Sequence, residues 1–183
     1  MQVMYKSEGK APNNDPFLTV KKARGYYEYS ERPGYDSIAF ILYDGNRFGL
    51  INESKPPMDE REGHEVKMTT AFGGSIDINK SYKEICQIEV LEESGYEVPL
   101  DRITSVGKTL VSTQMSQMCE LFLVDVSQIS KTHKAEYEMD PSKDENGEFV
   151  GNSIVWMSSD EVMENAEWKS VYILAQSVVQ GIL

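Results

Sequence analysis

Cysteine and histidine are scarce, with two of each: Cys86, Cys119, His64 and His133. None forms a Cys-x-x-Cys pair or a His cluster, which excludes a zinc site built on such ligands. Isolated cysteines suit a reducing, cytoplasmic setting. Basic residues are outnumbered, 18 Lys and Arg against 30 Asp and Glu, for a formal net charge of −12. That balance argues against a groove for duplex nucleic acid, which needs clustered Lys and Arg on the phosphates. It still allows a small phosphorylated ligand when a divalent cation screens the charge. No run approaches the roughly 18 apolar residues of a membrane span. The polar opening MQVMYKSEGK lacks the apolar stretch of a signal peptide.

The 183 residues, 40% apolar and 10% aromatic, supply the core of one domain. Residues 1–16, broken by Pro12 and Asn13-Asn14-Asp15-Pro16, read as a flexible lead-in, and residues 17–183 as a single domain. Phe17 to Tyr29 holds one or two strands. Ser37–Tyr43 is a buried strand joined through the Asp44-Gly45 turn to Phe48–Glu53. Residues 57–66 are charged and read as a surface loop, and Lys67 to Phe72 as a short strand. Ser81 to Ser94 is a helix that opens on the capping box Ser81-x-x-Glu84 and stops at Gly95. An antiparallel pair, Ser105–Ser112 and Glu120–Val126, precedes a long polar loop over 130–149, a length often tied to function. A strand at Ser153–Met157, a short helix capped by Ser159-Asp160-Glu161 and an apolar helix over Val171–Val179 complete the chain.

The informative stretch is the helix. At 100° per residue, Glu89, Glu92 and Glu93 fall within an arc of about 100°, shared by Ile85 and Cys86 one turn earlier. Ile88, Val90 and Leu91 point elsewhere, so the helix is packed on more than one side. Like charges one turn apart are unfavourable unless something neutralises them, and converging carboxylates suit a hard divalent cation. A solvated acidic face has the same periodicity.

The residues around the helix resemble the Nudix box. Gly74 is followed by five residues and Lys80. Seven more lead to Ile88-Glu89-Val90-Leu91-Glu92-Glu93-Ser94-Gly95-Tyr96. Gly74, Glu89, Val90, Glu92, Glu93 and Gly95 match the family pattern at its spacing. Lys80 stands where the family has Glu, and Ile88 where it has Arg. The flanks Arg32-Pro33-Gly34, Glu53-Ser54-Lys55-Pro56-Pro57 and Trp156–Glu161 are similar to ADP-ribose pyrophosphatase-like members.

The resemblance implies an α/β fold with a mixed β-sheet sandwiched between α-helices. It implies Mg²⁺-dependent (or Mn²⁺-dependent) hydrolysis of a nucleoside diphosphate linked to a second group, such as ADP-ribose or a nucleotide sugar. Glu89, Glu93 and the Gly74 carbonyl would hold the metal, with Glu92 a ligand or acid/base partner. A further base would come from Glu148 and Glu145, and then Glu120. Substrate-binding roles fall to Arg32, Tyr35, Glu53 and Lys80. Tyr26, Tyr27, Tyr29 and Tyr35 are candidates to stack on a base, or to pack in the core or an interface. Met115 and Met118 belong to a rim or to the core. Relatives of this type dimerise through N-terminal strands, which makes residues 17–35 a candidate homodimer interface. Ile88 cannot hold a catalytic Glu as the family's Arg does, and Lys80 competes with a cation for a neighbouring carboxylate. The alternative is a weak or inactive Nudix domain that binds nucleotides or a partner.

Overall fold

The computed structural model describes residues 2–8, 16, 18–32, 36–76, 78–135 and 153–183. The elements are β1 (Gln2–Lys6), β2 (Thr19–Ala23), β3 (Tyr27–Glu31), β4 (Ser37–Tyr43), β5 (Phe48–Ser54), α1 (Pro56–Glu62), β6 (Lys67–Thr70) and β7 (Phe72–Ser75). They continue with α2 (Tyr82–Glu89), β8 (Ile103–Leu110), β9 (Met118–Asp125), β10 (Ser153–Met157), α3 (Ser159–Asn165) and α4 (Trp168–Val179).

The apolar runs of β4 and β9 form the centre of a mixed seven-stranded sheet of order β10-β5-β4-β9-β8. β4 and β9 are parallel, with Phe40 opposite Phe122; the other pairings are antiparallel. Alternation sends Ile38, Phe40 and Leu42 to one face, where Phe122, Val124, Ile85, Cys86 and Val90 meet them. Ala39 and Ile41 go to the other face with Leu121, Leu123, Ile173 and Leu174. α2 thus covers one side and α4 the other. Burial on both sides is why the central strands read as continuous apolar runs. The expected sandwich of a mixed sheet between helices is the observed fold.

β4 and β5 touch only near their turn, at Leu42 opposite Gly49 and Tyr43 opposite Phe48. Beyond it they diverge, and β6 and β7 fill the gap, β6 on β5 and β7 on β4. The break between them is Ala71. It is gripped from the α3–α4 junction, where the Glu167 amide donates to the Thr69 carbonyl at 2.9 Å. The Ala71 amide donates back to the Glu167 carboxylate at 3.4 Å.

Several boundaries differ from the sequence reading. Gln2–Lys6 is a strand rather than lead-in, because it pairs with β2 in a separate three-stranded sheet, β1-β2-β3. The charged stretch after Lys55 contains α1. Prolines at its first positions need no amide donor, and Gly63 closes it at φ 75°. Ser158, not Ser159, caps α3, in a second capping box with Glu161. α4 starts at Trp168, three residues before Val171, because the Glu167 carboxylate accepts from the Lys169 and Ser170 amides. β6 and β7 carry the strand expected over 67–72 on to Ser75. Most of the polar loop over 130–149 lies outside the described residues. Among the described residues, no helix is long and apolar enough to cross a membrane.

Candidate functional site

The capping box at Ser81 forms as expected: the Glu84 amide donates to Ser81 Oγ at 3.3 Å, and the Ser81 amide to Glu84 at 2.9 Å. Ile85, Cys86 and Val90 press into the core. Over Val90–Ser94 the helix widens into a π-helical turn, a geometry that sequence periodicity does not reveal and that recurs at functional sites. Gly95 ends it at φ 77°. Its carbonyl accepts from the amides of Thr132 and His133 at 3.1 Å each. That approach is so close that a Cβ on Gly95 would run into the His133 backbone and stand 2.6 Å from Lys131 Cε.

The structure brings Glu89 onto Gly74. A Cβ there would lie 2.5 Å from Glu89 Cδ, 2.6 Å from Cγ and closer still to Oε1, so only glycine lets the carboxylate rest where it does. Gly74 faces Ile38 in the β4–β7 ladder. The hydrogen-bonded position two residues on, where the Ile76 amide donates to the Asp36 carbonyl at 3.0 Å, makes this one hydrogen-bonded too. The Gly74 carbonyl keeps one lone pair for another partner. Glu93 is half-buried, with Oε2 shut off from solvent, whereas Glu92 is exposed. Two of the three expected carboxylates therefore turn inward and one turns out.

Glu93, Gly74 and Ser75 line a cleft of about 410 Å³ that opens where β4 and β5 diverge. This is an ordinary size for a small-molecule site. Arg32, Lys55 and Lys169 line it as well, and so do Glu53 and Glu93. Among the described residues, cations thus outnumber carboxylates in this lining, in a chain whose net charge is −12. Arg32 is delivered by the small sheet, which is tied to the segment before β9. The Ser30 amide donates to the Gln114 carbonyl at 2.8 Å, and Tyr27 Oη donates to the Thr113 carbonyl at 2.6 Å. Glu53 pairs with Lys55 and accepts from Thr70 Oγ1 at 2.8 Å. Lys169 pairs with Glu167 at 3.8 Å.

Beside the cleft, Asp36 ties α2 to the sheet. Its carboxylate accepts from Tyr82 Oη at 2.7 Å, Lys108 Nζ at 2.9 Å and the Met118 amide at 3.0 Å. Burial pushes the Asp36 carboxyl up, but these three hydrogen bonds outweigh it and hold the group below the usual range. Hydrogen bonds to Tyr82 and Asp36 push the Lys108 ammonium up. Burial raises both thiols, Cys86 with help from the nearby Glu89 charge, so neither is a ready nucleophile.

Of the predicted substrate contacts, Arg32 and Glu53 line the cleft. Lys80 is exposed on the loop before α2 and does not line it. Its charge acts on Glu84 at the helix start instead. Tyr35, Glu145 and Glu148 lie outside the described residues. Glu120 sits on β9 and accepts from Ser105 Oγ at 2.9 Å. Tyr26 and Tyr27 are exposed on the small sheet and Tyr29 is half-buried there; none lines the cleft. Met115 bridges Ser30 through its backbone, and Met118 begins β9. Lys55, Thr70, Lys169 and Gln117 also line the cleft. Lys55 lies in a flank that resembles the family, and no local sequence signal marks the other three as site residues.

Among the described residues, no three His, Cys, Asp or Glu side chains gather into a metal cage. The donors that do turn inward are two carboxylates and a backbone carbonyl. Such a sparse oxygen set suits Mg²⁺ or Mn²⁺, because Mg²⁺ keeps several waters and shares its shell with substrate phosphates.

No known family matches the chain through its sequence profile, and no curated protein matches it. Among solved structures, a crystal structure of an ADP compounds hydrolase superposes with a TM-score of 0.64 at 14% identity. The match covers 100% of this chain and 96% of that one. The fold is Nudix-like. At that identity the likeness shows the architecture alone, and the roles of the residues rest on their geometry.

Proposed function

We propose that the protein is a divalent-metal-dependent hydrolase of a nucleoside diphosphate linked to a second group, of the ADP-ribose or nucleotide-sugar kind. One observation carries this reading. A carboxylate seated where a glycine leaves it room stands next to a cleft lined by three cations. Arg32, Lys55 and Lys169 would hold the diphosphate oxygens by charge-assisted hydrogen bonds. Glu89, Glu93 and the Gly74 carbonyl would hold the cation, with Glu92 facing solvent as acid/base partner. A bound Mg²⁺ or Mn²⁺ supplies charge to the phosphate oxygens and acidifies water. Glu148, Glu145 and Glu120 remain the proposed sources of a base. The substrate is a small nucleotide, the domain takes in β1 together with residues 17–183, and two copies pair through residues 17–35.

Product chromatography on a panel of nucleoside diphosphate derivatives with Mg²⁺ or Mn²⁺ tests the activity. Release of a nucleoside monophosphate, abolished in Glu93→Gln, is the expected result; no product from any derivative over hours refutes it. One observation favours a second reading, a nucleotide-binding domain with little turnover: Lys80 and Ile88 stand where the resembled box has Glu and Arg. That reading requires ligand-induced thermal stabilisation without product.

A further inference from the structure

A second recess of about 350 Å³ adjoins the cleft, walled by Glu31, Asp36, Ile76, Tyr82 and Ser116. Two residues line both cavities, Arg32 and Gln117. Gln117 is only 7% exposed. Its backbone is engaged, the carbonyl accepting from the Val111 amide at 3.0 Å. Its side-chain amide has no hydrogen-bond partner among the described residues. A primary amide offers two donor hydrogens and an acceptor oxygen. Neither amide atom is shut off from solvent, so a ligand that displaces the water there must meet the amide or leave it unpaired at a cost, and the site discriminates for a ligand that meets it.

Charge indicates which part of a ligand does so. The cleft side of Arg32 holds Lys55 and Lys169, whereas the recess side holds the carboxylates Glu31 and Asp36. Each of those carboxylates is paired, Glu31 with Lys21 and Asp36 with Lys108, and beyond the shared Arg32 the recess adds no cation of its own among the described residues. Its remaining polar surface and the walls of Ile76 and Tyr82 suit an uncharged group. We propose that Gln117 is a specificity-determining residue. Its amide holds an uncharged hydrogen-bonding group of the ligand, a nucleobase edge or sugar hydroxyls, in the recess while the diphosphate lies along Arg32. This inference rests on the reading of the cleft as a nucleoside diphosphate site.

The test is calorimetric titration of the full chain, Gln117→Ala and the uncharged, nearly volume-conserving Gln117→Met with three probes in Mg²⁺. The probes are methylenediphosphonate, α,β-methylene ADP and α,β-methylene ADP-ribose. Both variants should bind the ADP-ribose analogue about tenfold more weakly, and methylenediphosphonate within twofold of wild type. An equal loss with the ADP analogue assigns the group to the nucleoside half. A loss confined to the ADP-ribose analogue assigns it to the second group. Unchanged affinity for both nucleotide analogues, or an equal loss for methylenediphosphonate, overturns the proposal while leaving the site reading intact. Wild-type protein that binds none of the three overturns both. Melting curves confirm folding, and Gln117→Met carries the test if the alanine variant does not fold.

Discussion

Replacing Gly74 by alanine should separate activity from stability. The backbone at Gly74 lies outside the left-handed region, so alanine adopts it without strain. By restricting the unfolded chain, the change contributes about 0.4–1 kcal/mol of stability. The new Cβ would stand 2.5 Å from Glu89 Cδ and 2.6 Å from Cγ. Ordinary carbon contacts lie at about 3.5–4.0 Å, so the carboxylate must withdraw by about 1 Å. Its neighbour is the end of a flexible side chain, and moving that end off its rotamer costs about 0.5–1.5 kcal/mol. The two contributions nearly cancel, and the melting temperature should move by a few degrees at most. Placement does not survive, since an error of about 1 Å in a reacting constellation costs on the order of 100-fold. The measurements are Mg²⁺-dependent release of nucleoside monophosphate and a thermal melt on the same preparation. Activity within threefold of wild type would show that the reaction does not use the seat on Gly74. A melting point that collapses together with activity would show that the glycine serves packing instead.

Three further outcomes follow from the geometry. Gly95→Ala places a side chain at φ 77° and against the His133 backbone, so chemical denaturation should show a loss of at least about 1–3 kcal/mol; a neutral result would mean that the 131–133 segment yields freely. Asp36 is held below the usual carboxylate range, so its contribution is complete above the unfolded pKa of about 4 and is lost as pH falls through the lower folded value. The stability gap between wild type and Asp36→Asn in urea should therefore be full at pH 7 and narrow below about pH 4, and a gap constant to pH 3 would contradict this. Lys80→Glu, on an exposed loop away from the cleft, should shift stability by no more than about 0.5 kcal/mol and leave turnover within twofold; a tenfold gain would return position 80 to the site.

The parts of the fold that follow local rules were legible in the sequence. The Asp44-Gly45 turn, the Ser81–Glu84 capping box and the Gly95 stop each depend on a few neighbouring residues, and each formed where expected. The central strands declared themselves through unbroken apolar runs. Pairings between distant segments did not: Gln2–Lys6 reads as polar lead-in until β2 lies beside it. The same holds at the site. Glu89 and Glu93 announced themselves by spacing, but the π-helical turn that separates inward Glu93 from outward Glu92 has no residue signature. Lys169 and Gln117 reach the cleft through tertiary packing, 94 and 42 residues from Ser75 in the numbering, where periodicity carries no information. Lys80 holds a box position along the chain but stands exposed on the loop before α2, outside the cleft lining.

The grip of the α3–α4 junction on the bend at Ala71 has a mechanical consequence. Thr69 and Ala71 are bonded to Glu167, and Lys169 lies two residues further on. One side of the cavity and one of its positive charges therefore belong to a single rigid piece. A substitution that displaces the bend will carry the ammonium with it, so that the width of the opening and its pull on an anion change in step. Neither strand ladder need be broken for this to happen, since β6 and β7 hang from different neighbours.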